Sequence, residues 1–164
     1  MNEFFREVRS LRIWCCFFIL AGLLSGHEAH AGAESADKRP VFDRARITVS
    51  GDSGPEQNLE VEVARTGEQQ AYGLMFLNEL PGTDGMLFVS KQPRVMYFWM
   101  KNTLIPLDII FIGADSKIVK VVAGATPLST MPMSSEKPVL MALEIQGGRA
   151  ARLGIRPGAR VALP

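Results

Sequence analysis

The sequence predicts a mainly β fold, a small single-domain barrel or sandwich of about eight strands with one or two short helices, with an α+β arrangement as the alternative. Two observations carry this reading. Apolar segments of strand length recur between clusters of Gly, Pro, Asp and Ser, which are turn formers. The length, 164 residues, suits one domain.

The first residues read as an export address. Residues 1–12 carry Arg6, Arg9 and Arg12 beside Glu3 and Glu7, and an apolar run follows over residues 13–24. That run falls short of the about 20 residues a membrane-spanning helix needs, and it suits the core of a signal peptide. Ala29-His30-Ala31 is a small-x-small cleavage pattern. The expectation is a signal peptide over 1–31 cleaved after Ala31, a flexible leader over 32–40 and one domain over 41–164. The protein would then be periplasmic or secreted, with no stable membrane insertion after cleavage; an uncleaved N-terminal anchor is the alternative.

Cys15, Cys16, His27 and His30 all fall in that leading stretch. The remaining domain would have no thiol and no imidazole. Cys nucleophiles, disulfides, zinc sites built on Cys or His, and a His general base are thereby excluded from it. A formal net charge of +1 argues against a nucleic-acid partner.

The elements follow in order. Arg46–Val49 is short and β-branched, residues 51–55 form a turn cluster, and Leu59–Val63 alternates apolar and acidic residues, as in a strand with one wet face. Thr66 and Gln69 have the spacing of a capping box, Glu68 suits the first turn, and Ala71, Leu74 and Met75 continue at helical spacing. Met86–Val89, Val95–Met100 and Asp108–Ile112 do not alternate, which predicts central strands covered on both faces. Ala114–Lys117 reads as a hairpin loop into a strand over Ile118–Val122. Residues 124–138 read as a long loop, Val139–Ile145 as a strand, Arg149–Leu153 as one helical turn and Arg160–Leu163 as the closing strand.

Chemistry concentrates between two apolar segments. Lys101, Asn102 and Thr103 occupy a connection, and Asp108 opens the next strand. Charges beside apolar neighbours are costly unless paired, so Lys101 and Asp108 are expected close together. Two readings stay open: a polar site walled by Trp99 and Tyr97, or an ion pair that fixes strand register. Secondary candidates are Arg65 and Glu68 at the helix start, and Glu144, which is either a buried carboxylate or the outward residue of its strand. Met131 and Met133 could hold copper(I), but packing is the usual role of methionine, so no metal and no cofactor is expected. No P-loop, nucleophile elbow, Rossmann glycine set or EF-hand loop occurs.

The runs Gly85–Val89, Phe98–Thr103 and Ile105–Ile112 resemble the domain-of-unknown-function 192 family, also catalogued as uncharacterised protein family 0127. Thr66, Glu68 and Gly73-Leu74-Met75 match its earlier element; Leu143-Glu144, Gly147, Gly154-Ile155 and Gly158 match its closing one. Where that pattern commonly has Asp after the last Gly, this chain has Ala159. The resemblance implies a small, mostly β, often exported domain with no established activity. The leading functional expectation is a non-enzymatic module binding a small molecule or an envelope protein near Trp99, Lys101, Asn102, Thr103 and Asp108, with the 124–138 loop as cover. The alternatives are a small hydrolase or lyase using Asp108 or Glu144 with Lys101, and an envelope interaction protein in which Lys101 and Asp108 are structural.

Overall fold

The computed structural model describes residues 39–50, 55–80 and 82–163. The expected signal peptide, nearly all of the leader and the 51–54 turn lie outside the described residues. Among these residues the elements are β1 (Asp43–Ser50), β2 (Gln57–Ala64), α1 (Gly67–Tyr72), β3 (Gly85–Arg94), β4 (Tyr97–Phe98), β5 (Leu107–Ile112), β6 (Ile118–Ala125), β7 (Met133–Ser134), β8 (Val139–Gln146), α2 (Arg149–Arg152) and β9 (Arg160–Ala162). The fold is mainly β, with nine strands against the eight or so expected.

Seven strands form one sheet in the order β6-β5-β8-β3-β2-β1-β9, and β4 pairs with β7 apart from it. Neighbours are antiparallel except β2 and β3. The two edges of the sheet touch. Lys117 bridges Arg160, and the Ile118 and Val161 N–H groups donate to the carbonyls of Ala159 and Ser116 at 2.8 and 2.9 Å. The sheet thus curls into a half-barrel that hides edge groups otherwise open to pairing with another chain.

Successive side chains of a strand point to opposite faces, so the curled sheet has two cores. Ile47, Val61, Leu87, Ile110, Leu143 and Val161 fill the concave side. Met86, Phe88, Ile109, Phe111 and Ala142 lie on the convex side, where Leu74, Met96 and Met100 cover them. This double coverage explains why Met86–Val89 of β3 and Ile109–Ile112 of β5 are apolar, as expected of them, while β3 turns polar and exposed towards Arg94. At the wet end of the sheet alternation survives: Ile47 and Val49 are buried, while Arg46 pairs with Glu60 at 2.7 Å and Thr48 with Asn58 at 2.9 Å across the strands.

The predicted capping box forms. Gln69 N–H donates to Thr66 Oγ1 at 3.1 Å and Thr66 N–H to Gln69 Oε1 at 3.1 Å. The helix stops at Tyr72, earlier than the periodicity suggested, because Gly73 takes φ 53° and turns the chain away. Leu74 and Met75 therefore sit in a turn. Gln70 straps this turn region to the sheet through the carbonyl of Val89 at 2.8 Å.

Residues 95–100 are not a central strand. Only Tyr97 and Phe98 are strand-like, paired with Ser134 and Met133 of β7, and the segment lies over the convex face. Within it Met96 and Met100 point down, while Tyr97 and Trp99 are 68% and 54% exposed. The segment does alternate, but its outward residues are aromatic, which disguised the period. Phe98 anchors it edge-on to Phe88 and Phe111, with ring centroids 5.0 and 5.8 Å apart. Residues 124–138 are likewise more than a loop, since they complete β6 and supply β7. Ser135 Oγ accepts from Met96 N–H at 3.0 Å and donates to the Lys137 carbonyl at 2.7 Å, tying the two covering segments together.

One glycine is demanded by close approach. A Cβ on Gly85 would lie 1.9 Å from the Glu144 carbonyl oxygen across the β3–β8 pairing. Gly85→Ala must push these strands apart and is expected to lower stability by roughly 3 kcal/mol, read as the urea midpoint of the full chain. An unchanged midpoint would show that the strands yield freely.

Candidate functional site

Register places four residues in one row across the convex face: Glu62 on β2, Met86 on β3, Glu144 on β8 and Ile109 on β5. Both carboxylates in the row are buried, Glu62 at 5% exposure and Glu144 at 4%. The acidic positions of β2 were expected to face water. Glu60 does, but Glu62 lies under Arg39.

The two buried carboxylates are treated oppositely. Glu62 receives a bidentate guanidinium from Arg39, at 3.0 and 2.5 Å, and the Phe42 ring packs 4.6 Å beneath that guanidinium. Glu144 is flanked by Met86 and Ile109, both fully buried, and no hydrogen bond to its carboxyl from a described residue accompanies it. Burial alone pushes its carboxyl up to about 8. At neutral pH it is mostly a neutral acid, able to give or take a proton.

Glu144 opens onto a cleft of about 290 Å³ between the end of α1 and the covering segment. Leu74, Phe88, Met96 and Phe98 make apolar walls, and Tyr72, Tyr97 and Trp99 stand at the mouth. Thr103, 5% exposed, is a small polar group in the wall. Gln70 and Arg94 also line the cleft; the Arg94 guanidinium reaches Ser90 Oγ at 3.1 Å and Gln70 Oε1 at 3.5 Å. The volume is at the lower end for ligand pockets, and convergent polar groups in an apolar wall are their usual pattern.

The structure brings together only part of the expected constellation. Trp99, Thr103, Tyr97 and Glu144 line the cleft; Lys101, Asn102 and Asp108 do not. Asp108 is paired in register with Ile145, one step from the Glu144–Ile109 pair, so the two carboxylates point to opposite faces of the sheet. The Asp108 carboxylate accepts three backbone N–H groups, from Gly124 at 2.8 Å, Gly148 at 3.0 Å and Ala150 at 2.8 Å. It is a clip joining β6 to the turn before α2, and the pairing expected with Lys101 gives way to backbone donors.

Asn102 holds φ 58°, a left-handed conformation that Asn tolerates, and its carbonyl accepts the Phe76 N–H at 2.9 Å. It sets the turn that carries Thr103 into the cleft wall. Arg65 and Glu68 are exposed at the helix start and line no part of the cleft. None of residues 124–138 lines it either, so the cover expected from that segment lies elsewhere on the convex face. Gln70, Tyr72, Met75 and Arg94 escaped sequence reasoning, although Met75 stands in the Gly-Leu-Met element already singled out.

A half-barrel whose convex face carries a small cleft, with a buried carboxyl that no described residue hydrogen-bonds, defines the class: a small, mainly β domain. The chain belongs to the DUF192 family, described as an uncharacterized ACR, whose profile matches residues 47–163. It is similar to a protein of unknown function from Novosphingobium aromaticivorans DSM 12444, with 43% identity, a TM-score of 0.71, and 84% of this chain and 99% of that one covered. It is also similar to a protein from Sinorhizobium meliloti 1021 whose description proposes a transcription-regulator role, with 34% identity, a TM-score of 0.73, and 77% and 98% covered. No curated protein matches the chain.

Proposed function

We propose that this domain is a non-enzymatic small-molecule-binding module whose ligand occupies the cleft above Glu144. The observation that supports it most is the contrast within one row of the sheet. Glu62 has a guanidinium supplied by the chain, whereas Glu144, equally buried, faces an open cleft with no such partner among the described residues. Burying an ionisable group without a partner is costly, and such groups concentrate at functional sites. The export pattern over residues 1–31 and the absence of Cys from residues 32–164 support work outside the cytoplasm. Among the described residues no helix is long and apolar enough to cross a membrane.

The catalytic alternative needs Lys101 beside either Asp108, whose carboxylate accepts three backbone N–H groups, or Glu144. The sheet puts the two carboxylates on opposite faces, and Lys101 is not part of the cleft lining. The regulator role proposed for the Sinorhizobium protein gains no support from charge here, since a net +1 provides little attraction for a phosphate backbone.

The test is a thermal-shift screen of the full chain against neutral sugars, small carboxylates and organic cations. Trp99 is half exposed, so Trp99→Ala should leave the unliganded stability within about 0.5 kcal/mol. At least one class is expected to stabilise the wild-type chain, by about 2.7 kcal/mol at a hundredfold excess over Kd, and to do so far less in Trp99→Ala. If no class stabilises it, or the effect survives in Trp99→Ala, the cleft is not the binding site.

A further inference from the structure

Resting on that reading, we infer that the ligand is a small organic cation whose ammonium or amidinium group seats on Glu144 while its hydrocarbon part lies between the aromatic side chains of the mouth. A carboxyl at 4% exposure, flanked by Met86 and Ile109, regains its lost hydration best from a charged donor. The chain solves the same problem at Glu62 with a guanidinium set over an aromatic ring. The cleft repeats that environment: a carboxyl at its floor, and Tyr72, Phe88, Tyr97, Phe98 and Trp99 around it. Aromatic faces attract cations, most strongly where water is excluded. The volume of about 290 Å³ takes a ligand of roughly one ring and its head group.

The other charged and titratable groups described in the cleft lining or in the same row of the sheet do not fill the role. Arg94, the cation in the lining, is in register with Val139, five residues along β8 from Glu144, and its guanidinium is held by Ser90 Oγ and Gln70 Oε1. Glu62, two strands over on the same face, is neutralised by Arg39. Tyr72 and Tyr97 bring phenolic hydroxyls to the mouth, which donate hydrogen bonds but carry no cation.

Three probes of one shape separate the possibilities: benzylammonium, benzyl alcohol and benzoate, titrated calorimetrically into the full chain at pH 6.5 and 8.5. Benzylammonium is expected to bind more tightly than the other two. With the Glu144 carboxyl ionising at about 8, the charged form grows roughly twentyfold across this interval, and the affinity should rise by a similar factor. Glu144→Gln should abolish both the preference and its pH dependence. Because that amide is compatible with burial, the variant is expected to fold, and its thermal transition verifies that it has. Preferred binding of benzyl alcohol or benzoate, lost in Trp99→Ala, would overturn the cation while leaving the binding module in place. Benzylammonium binding unchanged in Glu144→Gln would overturn the seat on Glu144. Failure of all three to bind would overturn the inference, and the wider screen would then decide whether the cleft binds anything.

Discussion

Asp108→Ala is expected to destabilise the domain by on the order of 4–6 kcal/mol, enough to leave much of the chain unfolded at 37 °C if its stability lies in the ordinary range. The carboxylate accepts from Gly124, Gly148 and Ala150, and hydrogen bonds to a charged group are each worth about 1.5–3 kcal/mol. Alanine removes both acceptor oxygens, and with them all three hydrogen bonds, at a site with 0% exposure, where water cannot replace them. Asp108→Asn should fall between the two. Its carbonyl can keep the Gly124 and Gly148 bonds made by Oδ1, but its amide nitrogen then confronts the Ala150 N–H that Oδ2 had accepted, a loss of roughly 2–3 kcal/mol. Urea unfolding of the full chains gives the order wild type, Asn, Ala. The cleft is on the other face, so the fraction of Asp108→Asn that is folded should bind with wild-type affinity. A change below about 0.5 kcal/mol in both variants would remove Asp108 from the scaffold.

How far the sequence reached depends on whether each signal was local. The capping box at Thr66 and Gln69, the short β-branched strand at Arg46–Val49, and the covered apolar runs Met86–Val89 and Ile109–Ile112 are written within a few residues, and each formed as expected. Asp108 was legible as a charge that needs a partner. Its partners were not, because they are backbone N–H groups up to 42 residues away and any non-proline residue supplies one. Residues 95–100 misled because Tyr97 and Trp99, exposed in the fold, have the composition of a core strand. Glu144 could be read as a buried carboxylate from its apolar neighbours. That it faces a cleft, with Tyr72 and Arg94 drawn in from α1 and β3, depends on long-range packing that no spacing records.

Glu144→Gln is expected to make the domain more stable at pH 8, an unusual direction for a change in a buried strand. The carboxyl has an ordinary value of 4.5 and is pushed up to about 8 by burial. Below pH 4.5 both the folded and the unfolded chain hold this proton, so it does not affect stability. As the pH rises between the two values, the unfolded chain releases the proton and the folded chain keeps it. The unfolded state then binds fewer protons, and stability falls by roughly 1.4 kcal/mol per pH unit. The loss accumulates to on the order of 4–5 kcal/mol by pH 8 and levels off above it, where both states are ionised. Glutamine fills nearly the same volume and does not titrate. The difference between the two unfolding free energies should therefore open between pH 5 and 8 and stay constant beyond. Glu136, whose carboxyl is held low by its hydrogen bond and ion pair with Lys120, tilts both chains alike and cancels in the difference. Parallel curves from pH 5 to 9 would mean that Glu144 finds solvent or a partner in the folded state. If the curves diverge, benzylammonium at pH 8 should narrow the gap by stabilising only the wild-type chain. Both results together would mean that this carboxyl weakens the fold when empty and strengthens it when occupied, which is the physical content of a binding site.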